Sequence, residues 1–567
     1  MEEIPSEIRA IIATFLDERS RRMMRLANTP WFNTIHYDDF TFNYTTEEQV
    51  PQIFQRLRRY EQPLGLTFEK SKYELKPQDY EEIGQLTQLT KLILNNARGL
   101  KTTEDVLFPL TTLTNLEIMD QKLPPKIIQH YVNCKSLSFT FVEFDTLDLT
   151  LFSKLENLGF ISPQTETNFL QSVPHNQFMT ELLAAYIPRK IIDENALTRF
   201  PKLKFLLVET LREPDEECIN LPHLPHLEDL ILSATHVGDG LALAHEKLTK
   251  LLVECSQIES STLAALTNLR HLSLNFSSRE DLTIRDLYFL TALNHLEHLA
   301  LEFYDNTKHW KEYTTNQGQK YYYNKRTMQT TWELPEGASW TKVLRLISAE
   351  KLAGLEIRGP LKMNHITKFG NLQSLELLGF QERTLSTEDF ETLTNLTKLK
   401  LRKLAPQMGS AIAKMTKLKQ LHISSCSDNA QFDTFHIEKL VALEELVLFS
   451  NHSNLLTTSA IQDLPLTHLS MGWQADDTDM KIVAKITTLQ SLILHSTVSD
   501  NAVLSLAGLS NLTRLTVNKP NMTGVNLTLL TSLRQLHVSS SEPMEVTENE
   551  LLQQMPRLYD FALSRFI

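Results

Sequence analysis

The chain of 567 residues is predicted to fold as a curved α/β solenoid, built from about 20 repeats of a short strand followed by a helix or turn. Two observations predict this class. The apolar pattern LxxLxL recurs every 21 to 25 residues over most of the chain, and a second apolar pair closes each repeat. Two segments depart from the pattern, an aromatic stretch from Trp310 to Pro335 and residues 1–45.

Each LxxLxL copy predicts a short strand, because alternate side chains of a strand point to the same face. One such unit cannot bury its own apolar face, whereas stacked neighbours bury a continuous core. The copies start at Leu89, Leu113, Cys134, Leu155, Met179, Leu203, Leu227, Leu248, Leu269, Leu296, Leu352, Leu372, Leu396, Leu418, Leu443, Leu466, Leu489, Leu512, Leu533 and Leu558.

This pattern resembles the leucine-rich-repeat family over about residues 60–567. We assign repeats to residues 46–307, with irregular capping repeats at 46–88, and to residues 338–567. The resemblance implies that the concave strand face binds another protein. The alternative is a scaffold whose strand face has no specific ligand. The exposed strand positions are too mixed in charge to identify a client.

The aromatic stretch is predicted to be an insertion inside one repeat. The repeat starts Leu296 and Leu352 are 56 residues apart, and removing the 30 residues 308–337 leaves 26, the length of one repeat. The insertion therefore separates the strand of that repeat from its helix, predicted at 339–352. An insertion at a surface loop leaves the core contacts of a solenoid intact.

Within the insertion, alternating residues and turn signals predict three antiparallel strands, with Gly318 at the first hairpin turn. The spacing of Trp310, Gly318, the three tyrosines, Trp332 and Pro335 resembles the WW domain family. The resemblance implies a structural buckle of Trp310, Tyr322 and Pro335. It also implies a ligand groove with the following residues: Tyr321 and Trp332 as walls, Thr330 beside them, and Tyr323 and Lys325 at the variable end.

Two parallel aromatic faces accept the pyrrolidine ring of a proline, and a proline-rich ligand already has the polyproline II conformation. Readers of phosphorylated motifs need arginine clusters, and the turn "TTNQG" has none. Members of the family that prefer Pro-Pro-x-Tyr usually have histidine where this chain has Lys325. The triple tyrosine resembles WW domains of formin-binding and splicing-factor proteins, which implies Pro-Pro-Leu-Pro or other polyproline ligands. A folded WW module without a ligand is the alternative, and Lys325 is equally explained as a solvated charge.

Residues 1–45 have apolar residues at helical spacing from Ile4 to Leu16, which predicts an α-helical segment. Their pattern resembles an F-box. The resemblance implies that Pro5, Ile8, Ile12, Leu16 and Trp31 bind a Skp-type adaptor linked to a cullin. Arg21 and Arg22 depart from that pattern, since the family prefers apolar residues there. The alternative is a plain helical cap over the first repeat.

Composition narrows the function further. The net charge is -13, which disfavours bulk binding of nucleic acid, and no apolar run is long enough to span a membrane. Four separated cysteines and the absence of P-loop, GxSxG and HExxH motifs predict no metal, no cofactor and no enzyme. We expect a cytoplasmic or nuclear interaction protein, either a substrate receptor of a cullin ubiquitin ligase or a scaffold without that link.

Overall fold

The structure is a computed structural model, and the chain divides into two compact units, Met1–Ser278 and Arg279–Ile567. The described residues are 38–42, 54, 57–58, 64–68, 77–95, 112–119, 122–123, 131–144, 149–162, 170, 173, 175–187, 194–210, 221–233, 246–254, 260–276, 284–303, 310–315, 317–324, 328, 330–332, 340–358, 366–378, 390–404, 408–426, 436–449, 458–472, 476–495, 498–518, 522–540, 544–555, 557–558 and 560–565.

The first unit contains a parallel sheet. Its strands are β1 Asp38–Phe42, β2 Leu64–Phe68, β3 Leu89–Asn95, β4 Asn115–Met119, β5 Lys122–Leu123, β6 Ser136–Thr140, β7 Glu143–Phe144, β8 Asn157–Ile161, β9 Glu181–Ile187, β10 Phe205–Thr210, β11 Asp229–Ser233, β12 Lys250–Glu254 and β13 His271–Phe276. They pair in parallel in chain order, except that β5 and β7 form a separate ladder of their own. Three helices are described in this unit: α1 Pro77–Gly84, α2 Glu194–Leu197 and α3 Ser260–Ala265.

The second unit contains a parallel sheet and a small antiparallel one. Its strands are β14 His298–Phe303, β15 Trp310–Thr314, β16 Lys320–Asn324, β17 Thr330–Thr331, β18 Gly354–Arg358, β19 Ser374–Leu377, β20 Lys398–Leu404, β21 Gln420–Cys426, β22 Glu445–Leu448, β23 His468–Met471, β24 Ser491–Leu494, β25 Arg514–Asn518, β26 Gln535–Ser540 and β27 Asp560–Arg565. β14 pairs with β18, and β18 to β27 continue in parallel in chain order.

Short helices and 3-10 segments follow these strands. The α-helices described in the second unit are α4 Trp340–Leu346, α5 Gly409–Ile412, α6 Asp477–Val483, α7 Asp500–Ser505 and α8 Glu548–Gln554. The 3-10 segments described are Arg285–Thr291, Ile366–Lys368, Ile437–Lys439, Thr458–Ile461, Leu506–Gly508 and Val525–Leu529. Among the described residues, no helix is both long enough and apolar enough to cross a membrane.

The leucine pattern sets the register of the parallel sheet. Leu375 pairs with Leu399, and Leu399 pairs with Leu421, so that buried leucines form continuous rows from one repeat to the next. Except at Leu89, where β3 begins, the first residue of each LxxLxL copy precedes the strand, contrary to the prediction of a strand over the whole pattern. Leu372, for example, is buried in a turn, and its N–H donates to the carbonyl of Phe369 at 3.1 Å.

Asparagine side chains join successive repeats. The amides of Asn268, Asn371, Asn395 and Asn511 donate to the carbonyl oxygens of Glu246, Glu350, Gly370 and Thr487 in the preceding repeats, at 2.8 to 2.9 Å. Each of these asparagines lies just before the first leucine of its copy. The bonds give each of these turn carbonyls a hydrogen-bond donor from the next repeat. The repeats together form a solenoid of the leucine-rich-repeat type.

The amino-terminal prediction of helices is wrong in part. Strand β1 lies inside residues 1–45 and pairs in parallel with β2. Its sequence DDFTF alternates polar and apolar residues at the spacing of two that favours a strand. The predicted adaptor-binding residues lie outside the described residues, namely Pro5, Ile8, Ile12, Leu16 and Trp31.

The direct pairing of β14 with β18 confirms that the aromatic stretch is inserted within one repeat. Leu299 pairs with Leu355 and Leu301 with Ile357, in the register used by uninterrupted repeats. Helix α4 follows the insertion as predicted, although the described helix spans only seven residues. The solenoid ladder therefore continues across the insertion.

Candidate functional site: the aromatic face of the inserted sheet

The inserted sheet begins with a tight hairpin between β15 and β16. The N–H of Thr315 donates to the carbonyl of Gln319 at 2.8 Å, and the N–H of Gly318 donates to the carbonyl of Thr315 at 2.9 Å. The Thr315 hydroxyl also accepts bonds from the N–H groups of Gln317 and Gln319. Gly318 has a φ of 82°, a left-handed conformation that favours glycine. The turn thereby fixes the register of both strands.

That register brings four aromatic residues together. Tyr313 pairs with Tyr321 across the hairpin, and Tyr323 pairs with Thr330 on the other side of β16. Because side chains alternate along a strand, Tyr313, Tyr321, Tyr323 and Thr330 share one face of the sheet. Trp332 follows β17 and its ring contacts Tyr321 on the same face.

The rings on this face form a stepped series. The centroids of Tyr313 and Tyr321 are 5.6 Å apart with an interplanar angle of 24°, and those of Tyr321 and Trp332 are 6.3 Å apart at 70°. Tyr323 meets Tyr313 edge-on at 6.1 Å. Trp332 is 65% exposed and Tyr313 is 39% exposed, while Tyr321 and Tyr323 are partly buried. The face thus offers both a flat ring surface and a notch between perpendicular rings.

The described side chains on the opposite face include a polar cluster. Tyr322 points there, and its hydroxyl donates to the Glu312 carboxylate at 3.2 Å. Lys320 contacts the same carboxylate at 2.7 Å, and this hydrogen bond lowers the pKa of Glu312 and raises that of Lys320. Both groups are exposed to solvent, so the pair adds little to stability. The pair and the Tyr322 hydroxyl link β15 to β16 on this side.

The structure places part of the predicted site. Tyr321, Tyr323, Thr330 and Trp332 lie on one face of the sheet, and Tyr322 lies on the other. The backbone of Trp310 pairs with that of Asn324. The Trp310 side chain, Lys325 and Pro335 lie outside the described residues.

Sequence reasoning missed two members of this surface. Tyr313 stands five residues before Gly318, so counting the hairpin register outward from the turn would have placed it opposite Tyr321. Met328 is 71% exposed, and its sulfur lies beside the Tyr323 hydroxyl. No sequence signal marks Met328, because its position depends on a left-handed backbone with a φ of 59°.

Residues 308–335 match the WW domain family, and the inserted sheet is a WW domain. Domains of this class bind proline-rich segments through an exposed aromatic groove. No curated protein sequence matches the chain.

Solved structures similar to the chain include leucine-rich-repeat proteins. An internalin from Listeria monocytogenes shares 17% identity with a TM-score of 0.34, over 62% of this chain and 83% of the internalin. TLR13 in complex with a single-stranded RNA shares 18% identity with a TM-score of 0.49, over 89% of this chain and 70% of that one. A leucine-rich-repeat protein from Leptospira interrogans shares 14% identity with a TM-score of 0.26, over 92% and 99%.

A second candidate surface is the strand face of the second unit. Lys398 and Lys400 contact the Glu376 carboxylate at 2.7 and 3.4 Å. Burial raises the pKa of Glu376, but the two lysines outweigh burial and hold it below its usual value. On the next strands His422 bonds Glu445 at 2.8 Å. Mixed charges of this kind suit recognition of a folded protein surface. Among the described residues no cluster of side chains is suited to hold a metal ion.

Proposed function

We propose that this protein is a non-catalytic adaptor whose WW domain binds proline-rich segments of another protein. The observation that carries the proposal is the contact between the exposed Trp332 ring and the partly buried Tyr321 ring, with ring planes at 70° and centroids 6.3 Å apart. The two rings are nearly perpendicular and not parallel as expected, so a pyrrolidine ring lies in the notch that they form. A polyproline II ligand loses little conformational entropy on binding. The Trp332 indole N–H supplies a donor for a ligand carbonyl.

The residues around the notch between Tyr321 and Trp332 indicate the class of ligand. Tyr313 extends the ring surface by a further 5.6 Å beyond Tyr321, and one turn of polyproline II is about 9 Å long. Two prolines one turn apart in a tract therefore meet aromatic rings. The described turn residues Thr315, Gln317 and Gln319 carry no positive charge to hold a phosphate. An unphosphorylated Pro-Pro-Leu-Pro or polyproline tract fits best, with Tyr323 and Lys325 at its variable end.

Calorimetry on the full chain with three peptides tests the ligand class. The peptides contain Pro-Pro-Leu-Pro, Pro-Pro-x-Tyr or phosphoserine-proline. We expect the first to bind at least about tenfold more tightly than the other two, a difference of about 1.4 kcal/mol. Equal or tighter binding of the phosphorylated peptide would overturn the ligand class. No binding of any peptide would make the module a folded domain without a ligand.

The solenoid supplies a second binding surface in this proposal. Leucine-rich-repeat proteins bind protein partners on their strands, and the face around Glu376 and Glu445 has the mixed charges such binding uses. Weak contacts on the two surfaces add through effective concentration when one client carries both epitopes. The protein then acts by holding its client and needs no reaction of its own.

A second candidate function is substrate receptor of a cullin ubiquitin ligase in the cytoplasm or nucleus. The order of segments supports it, because an F-box-like segment precedes leucine-rich repeats. In this proposal Pro5, Ile8, Ile12, Leu16 and Trp31 bind a Skp-type adaptor. The test is adaptor binding by the full chain and by an Ile8→Asp, Leu16→Asp variant with unchanged unfolding temperature. Absence of binding by the native chain leaves a scaffold without a ligase link.

A further inference from the structure

Met328 is the most exposed large apolar side chain among the described residues. It is 71% exposed, whereas the core methionines Met408 and Met480 are both 0% exposed. Oxidation of a methionine requires the oxidant to reach the sulfur, and it converts a flexible apolar side chain into a polar one in a reversible step. Met328 is therefore the described methionine that a dissolved oxidant reaches most easily.

The backbone at Met328 does not explain why a methionine stands at this position. Its φ of 59° lies in the left-handed region, which glycine and asparagine adopt at a lower cost than methionine does. A turn that needed only this conformation would favour one of those two residues. What methionine adds is a sulfur atom that accepts a hydrogen bond from the Tyr323 hydroxyl.

This hydrogen bond places the sulfur at one end of the aromatic face of the WW domain. Tyr323 meets Tyr313 edge-on at 6.1 Å, and Tyr313 stacks on Tyr321 at 5.6 Å. A thioether and three tyrosine rings thus follow one another along the face. A chemical change at the sulfur acts directly on Tyr323, the ring that lies at the variable end of the ligand in the proposed function.

The described cysteine does not compete for an oxidant. Cys134 is 0% exposed, and its thiol donates to the Leu113 carbonyl at 3.6 Å. Burial raises the pKa of Cys134 to about 12. Because the thiolate is the form that reacts with peroxides, this residue is nearly inert at neutral pH. Among the sulfur atoms of the described residues, that of Met328 combines exposure with a contact on the ligand face.

We propose that Met328 is a site of reversible oxidation by hydrogen peroxide, and that its sulfoxide weakens the binding of proline-rich ligands. The effect on the ligand rests on the proposed function of the WW domain. A lone pair of the sulfur attacks one peroxide oxygen, and the O–O bond breaks. The departing hydroxide takes the proton of the transferred hydroxyl, so the products are the sulfoxide and water. Two thiols reverse the step, because their oxidation to a disulfide supplies two electrons and two protons and the oxygen leaves as water.

The sulfoxide weakens binding for two physical reasons. Its oxygen is a stronger acceptor than the thioether sulfur, so it holds the Tyr323 hydroxyl more firmly in one orientation. The oxygen also binds water, and an apolar ligand residue packed against it would remove that water without replacing its hydrogen bonds. The net charge of the protein does not change, so the loss of affinity should be the same at low and high salt.

Peptide mapping of the full chain tests the site itself. The chain is treated with a small excess of hydrogen peroxide, and samples quenched over time are digested and analysed by mass spectrometry. We expect Met328 to gain one oxygen at least about tenfold faster than Met408 and Met480, because oxidation of a buried residue requires local opening. Equal rates at the three residues would overturn the assignment of the site.

Calorimetry with a Pro-Pro-Leu-Pro peptide tests the consequence, and each protein serves as its own reference. The native chain is measured before peroxide, after peroxide, and after repair by a methionine sulfoxide reductase with a thiol. We expect the dissociation constant to rise about five- to tenfold on oxidation and to return on repair. In a Met328→Leu variant, which keeps every other methionine, peroxide should leave the dissociation constant unchanged. An equal loss in this variant, or no loss in the native chain, would overturn the proposal.

The ring signals of Tyr323 distinguish failure of this inference from failure of the proposed function. The tyrosines are labelled with ¹³C, Tyr323→Phe assigns the signals, and no ligand is needed. We expect them to shift on oxidation of the native chain and not of Met328→Leu, and unshifted signals would overturn the contact. Absence of peptide binding before oxidation would overturn the proposed function and the effect on the ligand. Peptide mapping and the Tyr323 signals would still decide the oxidation site.

Discussion

The His298 imidazole occupies the space that a side chain on Gly354 would need. The two residues pair across β14 and β18, on either side of the inserted WW domain. A Cβ atom at position 354 would collide with the His298 Nδ1 atom. Burial lowers the pKa of His298, so the ring is neutral at physiological pH. The strand pairing on either side of the WW insertion therefore depends on glycine at position 354, because the His298 ring fills the space beside it.

Replacing Gly354 by alanine should destabilise the second unit by about 1 to 3 kcal/mol, because the ring must move or the strands must separate. His298→Ala combined with Gly354→Ala should recover most of this loss, since the collision is then absent. Chemical denaturation of the single and double variants measures the coupling. Gly370→Ala is the control, because a Cβ there meets no atom within 4 Å. Additive effects would contradict the packing of the two residues.

Gly318→Ala should lower the stability of the WW domain by about 1 kcal/mol, because alanine pays for the left-handed conformation that glycine adopts freely. The space around Gly318 is open, so a steric collision would not contribute. The loss of the tyrosine signals of the WW domain on heating measures the stability of this domain. If these signals disappear at a lower temperature than the signals of the solenoid, the domain unfolds separately. A Gly318→Asn variant should lose less, because asparagine tolerates this conformation better. Equal losses for both variants would contradict a purely conformational origin.

Tyr313→Ala should weaken binding of a Pro-Pro-Leu-Pro peptide about five- to tenfold, because the stacked ring next to Tyr321 supplies part of the aromatic surface. Tyr322→Phe is the control, since its hydroxyl bonds Glu312 on the opposite face. Calorimetry on the full chain gives both dissociation constants. A Tyr313→Ala variant with unchanged affinity would limit the groove to Tyr321 and Trp332.

Glu181→Gln should stabilise the first unit at pH 8 and have no such effect at pH 4. Burial, together with Asp229, raises the pKa of Glu181 to about 7 in the folded protein. A carboxyl in the unfolded chain has a pKa near 4.5. The folded protein therefore loses stability as the pH rises from 4.5 through 7, because the buried Glu181 carboxyl must then ionise. The neutral amide avoids a loss of about 1 to 3 kcal/mol.

Thermal unfolding at the two pH values measures this difference. Glu156→Gln is a suitable control because Glu156 is exposed and pairs with Lys135 at the surface. A stabilisation by Glu181→Gln that is the same at pH 4 and pH 8 would mean that packing, rather than ionisation, causes it.

The repeat architecture was predictable because the spacing of the leucines within each LxxLxL copy determines which side chains face the core. The alternation of side chains along each strand turns Leu375 and Leu399 toward the core, and the stacking of repeats then pairs these two residues. The insertion was predictable from the spacing of Leu296 and Leu352 alone. Strand β1 was missed because its five residues adjoin a segment with helical spacing, and only pairing with β2 decides their state.

Tyr321 and Trp332 were predictable as site residues because the spacing typical of the WW domain family marks their positions. Tyr313 required the partner strand as well, and Met328 required a backbone conformation that no sequence pattern specifies. The buried middle residues of β9 to β12, such as Leu183 and Leu252, could not be separated from the core by sequence, because apolar residues on both faces of these strands read as one apolar run.

The most direct test of the central claim follows the indole N–H of Trp332 by NMR. The full chain is labelled with ¹⁵N at its five tryptophans and titrated with a Pro-Pro-Leu-Pro peptide. Trp332→Phe assigns the resonance by its disappearance. We predict that this resonance shifts progressively to saturation, because the N–H donates to a ligand carbonyl, and that Trp332→Phe binds at least about tenfold more weakly. An unshifted Trp332 resonance at saturating peptide would contradict binding at this groove.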